Sequence, residues 1–135
     1  MDKLTTTERS ALMSRVHSKG SKPEMAVRSI VHRMGFRYRL HDANLPGTPD
    51  LVFVARKKIV LVHGCFWHGH NCRSGRNKPA THTEYWNAKF ERNMKRDRAN
   101  AARLRRLGWR VLPVWECQIR QAERLARRLR SFLEN

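Results

Sequence analysis

The sequence is poor in acidic residues, with 11 Asp and Glu against 29 Lys and Arg among 135 residues. The resulting formal net charge of +18 predicts a polyanionic partner. Long apolar runs are also missing, since no stretch approaches the roughly 18 residues of a membrane-spanning helix. The polar N-terminal residues 1–5 lack the hydrophobic region of a secretory signal. We therefore expect an intracellular protein that binds nucleic acid and not a membrane.

Cysteine is scarce as well, and its odd count of three argues against a disulfide framework. Two of the cysteines flank a histidine in one short stretch, and thiolate and imidazole are both zinc ligands. The third cysteine completes a tetrahedral set of the structural kind. The predicted zinc ligands are Cys65, His70, Cys72 and Cys117. His63 and His68 are left beside this predicted metal site and are candidates for chemistry.

The remaining patterns alternate between helix and strand along a chain whose length suits one domain over residues 1–135. Residues 1–22 are expected to form a flexible or short-helical N-terminal segment. Apolar residues at helical spacing predict helices at 24–35, at 81–108 and from Gln118 onward. Short apolar runs predict strands at 36–40, 49–54, 57–62 and 109–115. This order predicts an α/β fold with a mixed central sheet flanked by helices.

Three polar residues have positions that packing alone does not explain. Asp50 opens one predicted strand and His63 follows the next, so adjacent strands would place both at one end of the sheet. Asp97 lies on the apolar face of the predicted long helix, where an ionised carboxylate needs a partner. That partner is either an arginine or one of the histidines His63 and His68, whose imidazole it would orient as a base.

Three motifs together resemble the very short patch repair (Vsr) endonucleases. They are LPGTPD at residues 45–50, VHGCFWHGHNC at residues 62–72 and LGWRVLPVWEC at residues 107–117. The resemblance extends from about Met13 to Cys117. It implies a restriction-endonuclease-like fold, a structural zinc and Mg²⁺-dependent nicking of one DNA strand. The implied substrate is double-stranded DNA with a T:G mismatch from deamination of 5-methylcytosine, cut on the 5′ side of the thymine.

The resemblance also implies roles for individual residues. The implied catalytic residues are Asp50, His63, His68, Asp97 and Glu24. Mg²⁺ would bind the Asp50 carboxylate and the backbone carbonyl of Val62. The residues implied to enter the DNA stack are Phe66, Trp67 and Trp86, with Met13 and Val16 approaching from the opposite groove. We assign the general base to His68 and a contact with the phosphate or with metal-bound water to His63, and the reverse assignment stays open.

Two other functions remain open at the level of sequence. A zinc-stabilised DNA-binding module without catalysis would use the basic charge, but it would leave the carboxylate of Asp97 beside spare histidines unexplained. A restriction or nicking endonuclease of the same fold that reads an unmodified site would have less use for the adjacent aromatic residues Phe66 and Trp67. We expect a monomer in the bacterial cytoplasm, at the nucleoid, with repair proteins as further candidate partners.

Overall fold

The structure is a computed structural model that describes residues 21–65 and 82–135. The helices in these residues are α1 (Lys22–Arg33), α2 (Thr83–Arg106) and α3 (Ala122–Glu134). The strands are β1 (Arg39–Leu40), β2 (Leu51–Phe53), β3 (Lys58–His63) and β4 (Arg110–Trp115). Short 3₁₀ turns at Val54–Arg56 and Glu116–Arg120 follow β2 and β4. Within the described part of the chain, no helix is long and apolar enough to cross a membrane.

The strands form one mixed sheet in the order β1-β2-β3-β4. β1 and β2 are antiparallel, as are β2 and β3, whereas β3 and β4 are parallel. A parallel pair needs a crossover connection, and α2 lies in the chain between β3 and β4. Leu51 pairs with Val60 and His63 pairs with Trp115, so the start of β2 meets the ends of β3 and β4 at one edge. The predicted α/β class with a mixed sheet is confirmed.

The core lies on both faces of the sheet because side chains alternate along each strand. Val60 and Leu51 face α1 and α3, whose inward residues complete one cluster. The residues that these two helices bury there are Val27, Val31, Leu125, Leu129 and Leu133. Ile59 and Val52 face the other side, where they pack with Leu104 of α2. Helices therefore cover both faces, which explains why all three residues of β2 are buried.

Helix α1 starts two residues earlier than the predicted Glu24. Ser21 is its N-cap, with a side-chain oxygen that accepts a hydrogen bond from the Glu24 N–H at 3.3 Å. Pro23 lies in the first turn, where a missing N–H costs nothing. Gly35, with a φ of 91°, follows the last turn as predicted.

Three other predicted elements are shorter in the structure. The strand predicted at 49–54 spans only Leu51–Phe53, because a 3₁₀ turn begins at Val54. The alternation over residues 36–40 predicts a five-residue strand, but only Arg39 and Leu40 pair with β2. The closing helix was predicted from Gln118 and begins at Ala122. The Gln118 side chain accepts a hydrogen bond from the Trp115 N–H at 3.0 Å, and this bond stabilises a 3₁₀ turn in place of the first helical turn.

Basic residues bind the C-terminal end of α3 at the start of β3. Lys58 Nζ and Arg56 Nη1 both donate to the carbonyl oxygen of Leu133, at 3.1 and 2.8 Å. Arg110 Nη1 donates to the carbonyl oxygen of Asn135 at 3.4 Å. Cations stabilise a helix C-terminus because its last carbonyls lack helical partners. Burial lowers the pKa of Lys58 below 10.5, and the nearby charges of Arg110 and Arg56 lower it further.

Candidate active site

Asp50 lies at the sheet edge where β2 begins and β3 ends. Its Oδ2 accepts a hydrogen bond from the backbone N–H of Val62 at 2.8 Å. The N–H and C=O of one residue in an extended strand point to the same side. The Val62 carbonyl therefore faces the same edge of β3 as its N–H, toward Asp50. The half-buried Asp50 carboxylate and a main-chain oxygen are thus placed on one side of β3.

Glu24 is a buried acidic residue of α1, with 2% of its surface exposed. Its Oε1 lies 2.6 Å from His41 Nε2, and its Oε2 lies 3.8 Å from Arg28 Nη1. His41 follows β1, and its backbone N–H donates to the Asp50 carbonyl at 3.1 Å. Glu24, which the sequence connects to this region only through the family resemblance, is therefore brought to the Asp50 edge by packing of α1.

Glu24, His41 and Asp50 have the geometry of a cation-binding cluster. Each offers one ligand atom, and these atoms lie within 4.8 Å of one another. Mg²⁺ prefers carboxylate, carbonyl and water oxygens, and imidazole nitrogen extends the choice toward transition metals. The two carboxylates and the nearby Val62 carbonyl fit a divalent cation in this cluster.

His63 ends β3 at the same edge, as the antiparallel order of β2 and β3 predicts. The residue is nearly buried, and its ring centroid lies 4.9 Å from that of Trp115 at an interplanar angle of 53°. The parallel pairing of His63 with Trp115 fixes this contact through the backbone register. The imidazole is thus in contact with the Trp115 ring at the end of β3.

Asp97 lies in the middle of α2 and is half-buried, with 19% of its side chain exposed. The sequence predicts an inward carboxylate on the apolar face of this helix, and Asp97 lies four residues after the buried Asn93 and seven before the buried Leu104, on the same face. Phe90, Asn93 and Leu104 occupy the buried positions. Arg96 Nη2 lies 3.8 Å from Asp97 Oδ1, and this arginine is largely exposed. The position of His68, the alternative partner, lies outside the described residues.

The loop between β1 and β2 packs closely against α2. A Cβ atom added to Gly47 would lie 2.6 Å from Asn100 Nδ2, so glycine is required for this approach. Gly47 has a φ of 77°, and the non-glycine residues His41 and Thr48 both have a φ of 48°. Left-handed backbone at a non-glycine residue costs about 1–3 kcal/mol and is often found at functional sites. The loop that ends at Asp50 therefore holds a strained conformation supported by α2.

Two of the four predicted zinc ligands meet just beyond the same edge. Cys65 is buried and Cys117 is half-buried, and the Cys117 N–H donates to Cys65 Sγ at 3.3 Å. The Cys65 N–H donates to Glu116 Oε1 at 3.4 Å. Backbone donors of this kind orient thiolate ligands in metal sites. The parallel pairing of β3 with β4 brings these cysteines together from distant parts of the chain.

Several predicted residues lie outside the described residues, and their predicted roles stay predictions. They are Met13, Val16, Phe66, Trp67, His68, His70 and Cys72. Trp86, the remaining aromatic residue of the predicted DNA contact, is half-buried in the first turn of α2. Its ring lies 5.3 Å from that of Tyr85 and 5.9 Å from that of Phe90, between centroids. Tyr85 is 41% exposed, so an accessible aromatic surface exists at this helix start.

The exposed side of α2 is strongly basic. Its exposed arginine and lysine residues are Arg92, Lys95, Arg96, Arg98, Arg103, Arg105 and Arg106. A row of cations on one helix is the electrostatic footprint of a nucleic-acid-binding surface. The aromatic residues at the start of α2 and the cations along it therefore suit contact with DNA.

His41 is the residue of this site that sequence reasoning missed. The signal was available, because a polar residue directly after the β1 pattern faces the residue directly before β2 when the two strands are antiparallel. The pairing of Leu40 with Leu51 places His41 opposite Asp50 in this way. The turn-rich composition of residues 41–48 instead predicted only a connecting loop.

Comparisons with known proteins identify the family of this chain. The family model described as DNA mismatch endonuclease Vsr matches residues 1–74. The type II nicking enzyme V.XorIIP of Xanthomonas oryzae pv. oryzae is 47% identical over 133 residues, covering 98% of this chain and 97% of that protein. V.NmeAIP, a type II nicking enzyme of Neisseria meningitidis, is 41% identical over 135 residues, covering 97% and 96%. The DNA mismatch endonuclease Vsr of Escherichia coli K12 is 42% identical over 117 residues, covering 87% and 74%.

Proposed function

Because the chain belongs to the Vsr family and is an endodeoxyribonuclease, we propose that it nicks one strand of duplex DNA on the 5′ side of the thymine in a T:G mismatch. The observation that carries the proposal is the cluster of Glu24, His41 and Asp50 at the end of β3, whose ligand atoms lie within 4.8 Å of one another. Two carboxylates at close range repel each other, and a bound cation would offset this repulsion. The mixed sheet with this cluster at its edge supports the restriction-endonuclease-like fold.

Mg²⁺ is the proposed catalytic cation. Asp50 and the Val62 carbonyl are the proposed ligands, with Glu24 close enough to add a carboxylate. Bound there, Mg²⁺ would neutralise charge on the phosphate and on the leaving oxygen. The hydrogen bond from the Val62 N–H holds Oδ2 of Asp50 in place, and this also restricts the position of Oδ1.

Histidine performs the proton transfer in this proposal. His68 is the proposed general base, and His63 is proposed to contact the phosphate. The position of His63 at the end of β3, against the Trp115 ring, supports the second role. Asp97 would orient an imidazole from its half-buried position on α2. A base must lie within hydrogen-bond reach of the proton it takes, and an oriented imidazole meets that requirement with little reorganisation.

Zinc is the proposed structural metal, bound by Cys65, His70, Cys72 and Cys117. The 3.3 Å contact between Cys65 Sγ and the Cys117 N–H supports this set, because it joins both ends of the ligand sequence. A closed set of three thiolates and one imidazole is typical of structural zinc. Zinc at this position would fix residues 66 and 67, directly after Cys65, relative to the sheet.

Mismatch recognition is proposed to depend on aromatic insertion by Phe66, Trp67 and Trp86, with Met13 and Val16 entering from the opposite groove. Inserting a side chain costs a few kcal/mol of unstacking, and stacking a base on an aromatic ring returns about 1–3 kcal/mol. The balance is near zero for a paired duplex and favourable where a wobble pair weakens the stack. The half-exposed rings at the start of α2 support this proposal.

A second candidate function is nicking at an unmodified site, because V.XorIIP and V.NmeAIP are described as type II nicking enzymes. A panel of duplexes separates the two functions. One set holds each mismatch in turn, another is fully paired, and each is incubated with Mg²⁺ or with a chelator. We expect nicking of the T:G duplex only, 5′ of the thymine, and only with Mg²⁺. Equal nicking of the paired duplex would favour the second function.

The Trp67→Ala variant tests the recognition step separately. We expect weaker cutting of the mismatched duplex with most of the non-specific affinity retained, because phosphate contacts by Lys and Arg supply that affinity. Both affinities are measured at one salt concentration. An equal loss on matched and mismatched duplexes would show that Trp67 does not discriminate between them.

A further inference from the structure

His41 is bonded to two of the carboxylate-bearing residues of the site at once. Its side-chain Nε2 lies 2.6 Å from Glu24 Oε1, and its backbone N–H donates to the Asp50 carbonyl at 3.1 Å. When the Glu24 carboxylate is ionised it only accepts hydrogen bonds, and Nε2 is then the donor of this pair. A protonated nitrogen does not bind a metal. This geometry assigns His41 Nε2 as a donor to Glu24 and not as a metal ligand.

Two electrostatic interactions act on the Glu24 carboxylate besides its contact with His41. The carboxylates repel each other at the short separation within this cluster. Arg28, one turn along α1, lies 3.8 Å from Glu24 Oε2 and attracts the same carboxylate. Within the described part of the chain, Arg28 Nε is a buried donor with no hydrogen-bond acceptor, so this arginine has capacity for a closer contact. At 2.6 Å, the contact of Glu24 with His41 Nε2 is much shorter than its 3.8 Å contact with Arg28.

The backbone of His41 is also held in an unfavourable conformation. Its φ of 48° lies in the left-handed region, and this conformation directs the side chain toward α1 while the N–H remains paired with Asp50. Histidine, asparagine and aspartate enter this region more readily than most residues. The strain persists because both ends of the residue are bonded.

We propose that His41 is the positioning residue of the metal site, holding the Glu24 carboxylate close enough to Asp50 for one divalent cation. The inference rests on the proposed function, since that function places the cation at Asp50. His41 thereby links α1 to the start of β2, through its side chain and its backbone N–H.

Two amide variants of His41 test the proposal. Glutamine carries an N–H₂ donor at a reach similar to that of Nε2, whereas asparagine carries the same group one methylene closer to the backbone. Asparagine is the better of the two in left-handed backbone, so a defect confined to His41→Asn does not arise from backbone strain. Mn²⁺ is the probe, because it prefers the same oxygen ligands as Mg²⁺ and its free form is counted by electron paramagnetic resonance.

We expect His41→Asn to weaken Mn²⁺ binding by about tenfold or more, as loss of a group that orients a ligand does, and His41→Gln to stay within about threefold of the wild type. Wild-type affinity in both variants would overturn the proposal. An equal loss in both would also overturn it, in favour of direct metal binding by the imidazole. Circular dichroism verifies folding, and His41→Ser replaces the asparagine variant if that protein does not fold.

A double-mutant cycle shows whether His41 acts through Glu24. On a Glu24→Gln background, His41→Asn should cause no further loss of Mn²⁺ affinity, whereas independent contributions would add. Asp50→Asn is the reference variant and should abolish binding. These titrations contain no DNA. Normal Mn²⁺ affinity in His41→Asn, with binding abolished in Asp50→Asn, would therefore refute the role of His41 and leave the proposed function standing.

Discussion

The two ends of strand β3 each bury a titratable residue, but the groups near these two residues differ in charge. Lys58 at the start is 4% exposed and His63 at the end is 9% exposed. Around Lys58, the side chains of Lys58, Arg56 and Arg110 donate hydrogen bonds to main-chain carbonyl oxygens at the C-terminal end of the chain. At the end that carries His63, one ligand atom each of Glu24, His41 and Asp50 lies within 4.8 Å of the others. The first arrangement is complete without a ligand, and the second favours a cation.

This difference matters because the protein carries a net charge of +18. A buried cation in such a protein is costly, so its retention at the start of β3 is explained by the carbonyls it binds. Carboxylates are few, and two of the 11 acidic residues meet at the opposite end. Clusters of like charge that a fold brings together mark functional sites more often than structural ones. Variants at the two ends should therefore separate activity from stability.

The largest expected effect belongs to the proposed zinc ligands beyond the His63 end. Cys117→Ala should lower the free energy of unfolding severely, because a structural zinc contributes on the order of 10 kcal/mol to folding. Thermal unfolding and elemental analysis of the same samples measure the effect. The wild type should contain one zinc per chain and lose its stability in a strong chelator. A native protein that contains almost no zinc would show that the four residues do not form a zinc site.

A smaller effect is expected at the loop that delivers Asp50 to this end. Gly47→Ala should destabilise the fold by roughly 1–3 kcal/mol, because alanine is strained at a φ of 77° and its Cβ would contact Asn100. Denaturant unfolding measures the change. The double variant Gly47→Ala/Asn100→Ala should recover the part due to the clash and leave the part due to the backbone. No recovery would show that Asn100 yields without cost.

The smallest effect is expected at the other end, from Lys58→Met. The variant should be as stable as the wild type or about 1 kcal/mol more stable near pH 7, because it removes a buried charge and Arg56 still donates to Leu133. The matched control is Arg56→Met, which removes the other donor to the same carbonyl. A loss of more than about 2 kcal/mol in Lys58→Met would show that the Lys58 hydrogen bond is needed.

The same variant gives a pH dependence of known sign. Lys58 has an ordinary pKa of 10.5 in the unfolded chain and a lower pKa in the folded protein. At a pH between the folded and the unfolded pKa, the unfolded chain therefore binds more protons than the folded one. The free energy of unfolding due to Lys58 therefore rises with pH through that window. Any advantage of Lys58→Met at neutral pH should shrink as the pH approaches 10.5. An advantage that grows with pH would contradict the assignment.

Much of the fold follows from local patterns in the sequence. The long helix was predicted at 81–108 and spans Thr83–Arg106, because its apolar spacing is regular and Gly108 with a φ of 95° follows its end. The strands β3 and β4 also lie within one residue of their predicted ends. β1 was overestimated because alternation reports burial, whereas strand pairing also needs a partner, and β2 has only three residues.

Part of the candidate site also follows from the sequence, and part depends on tertiary packing. Strand order alone predicts that Asp50 and His63 share an edge, and the Val62 N–H contact with Asp50 agrees with that prediction. The position of Glu24 depends on how α1 packs, and its contact with His41 joins residues 17 positions apart through side chains. No pattern within one element contains such a contact. The half-burial of Asp97 likewise depends on what covers the middle of α2.

The most direct test of the account compares the two ends of β3 in one nicking assay. Asp50→Asn, Lys58→Met and the wild type are each mixed in excess with an end-labelled T:G duplex and Mg²⁺, and the single-turnover rate is measured. We expect Asp50→Asn to bind DNA but to cut it about a hundredfold or more slowly than the wild type, and Lys58→Met to cut near the wild-type rate. Near-normal cutting by Asp50→Asn would contradict the account.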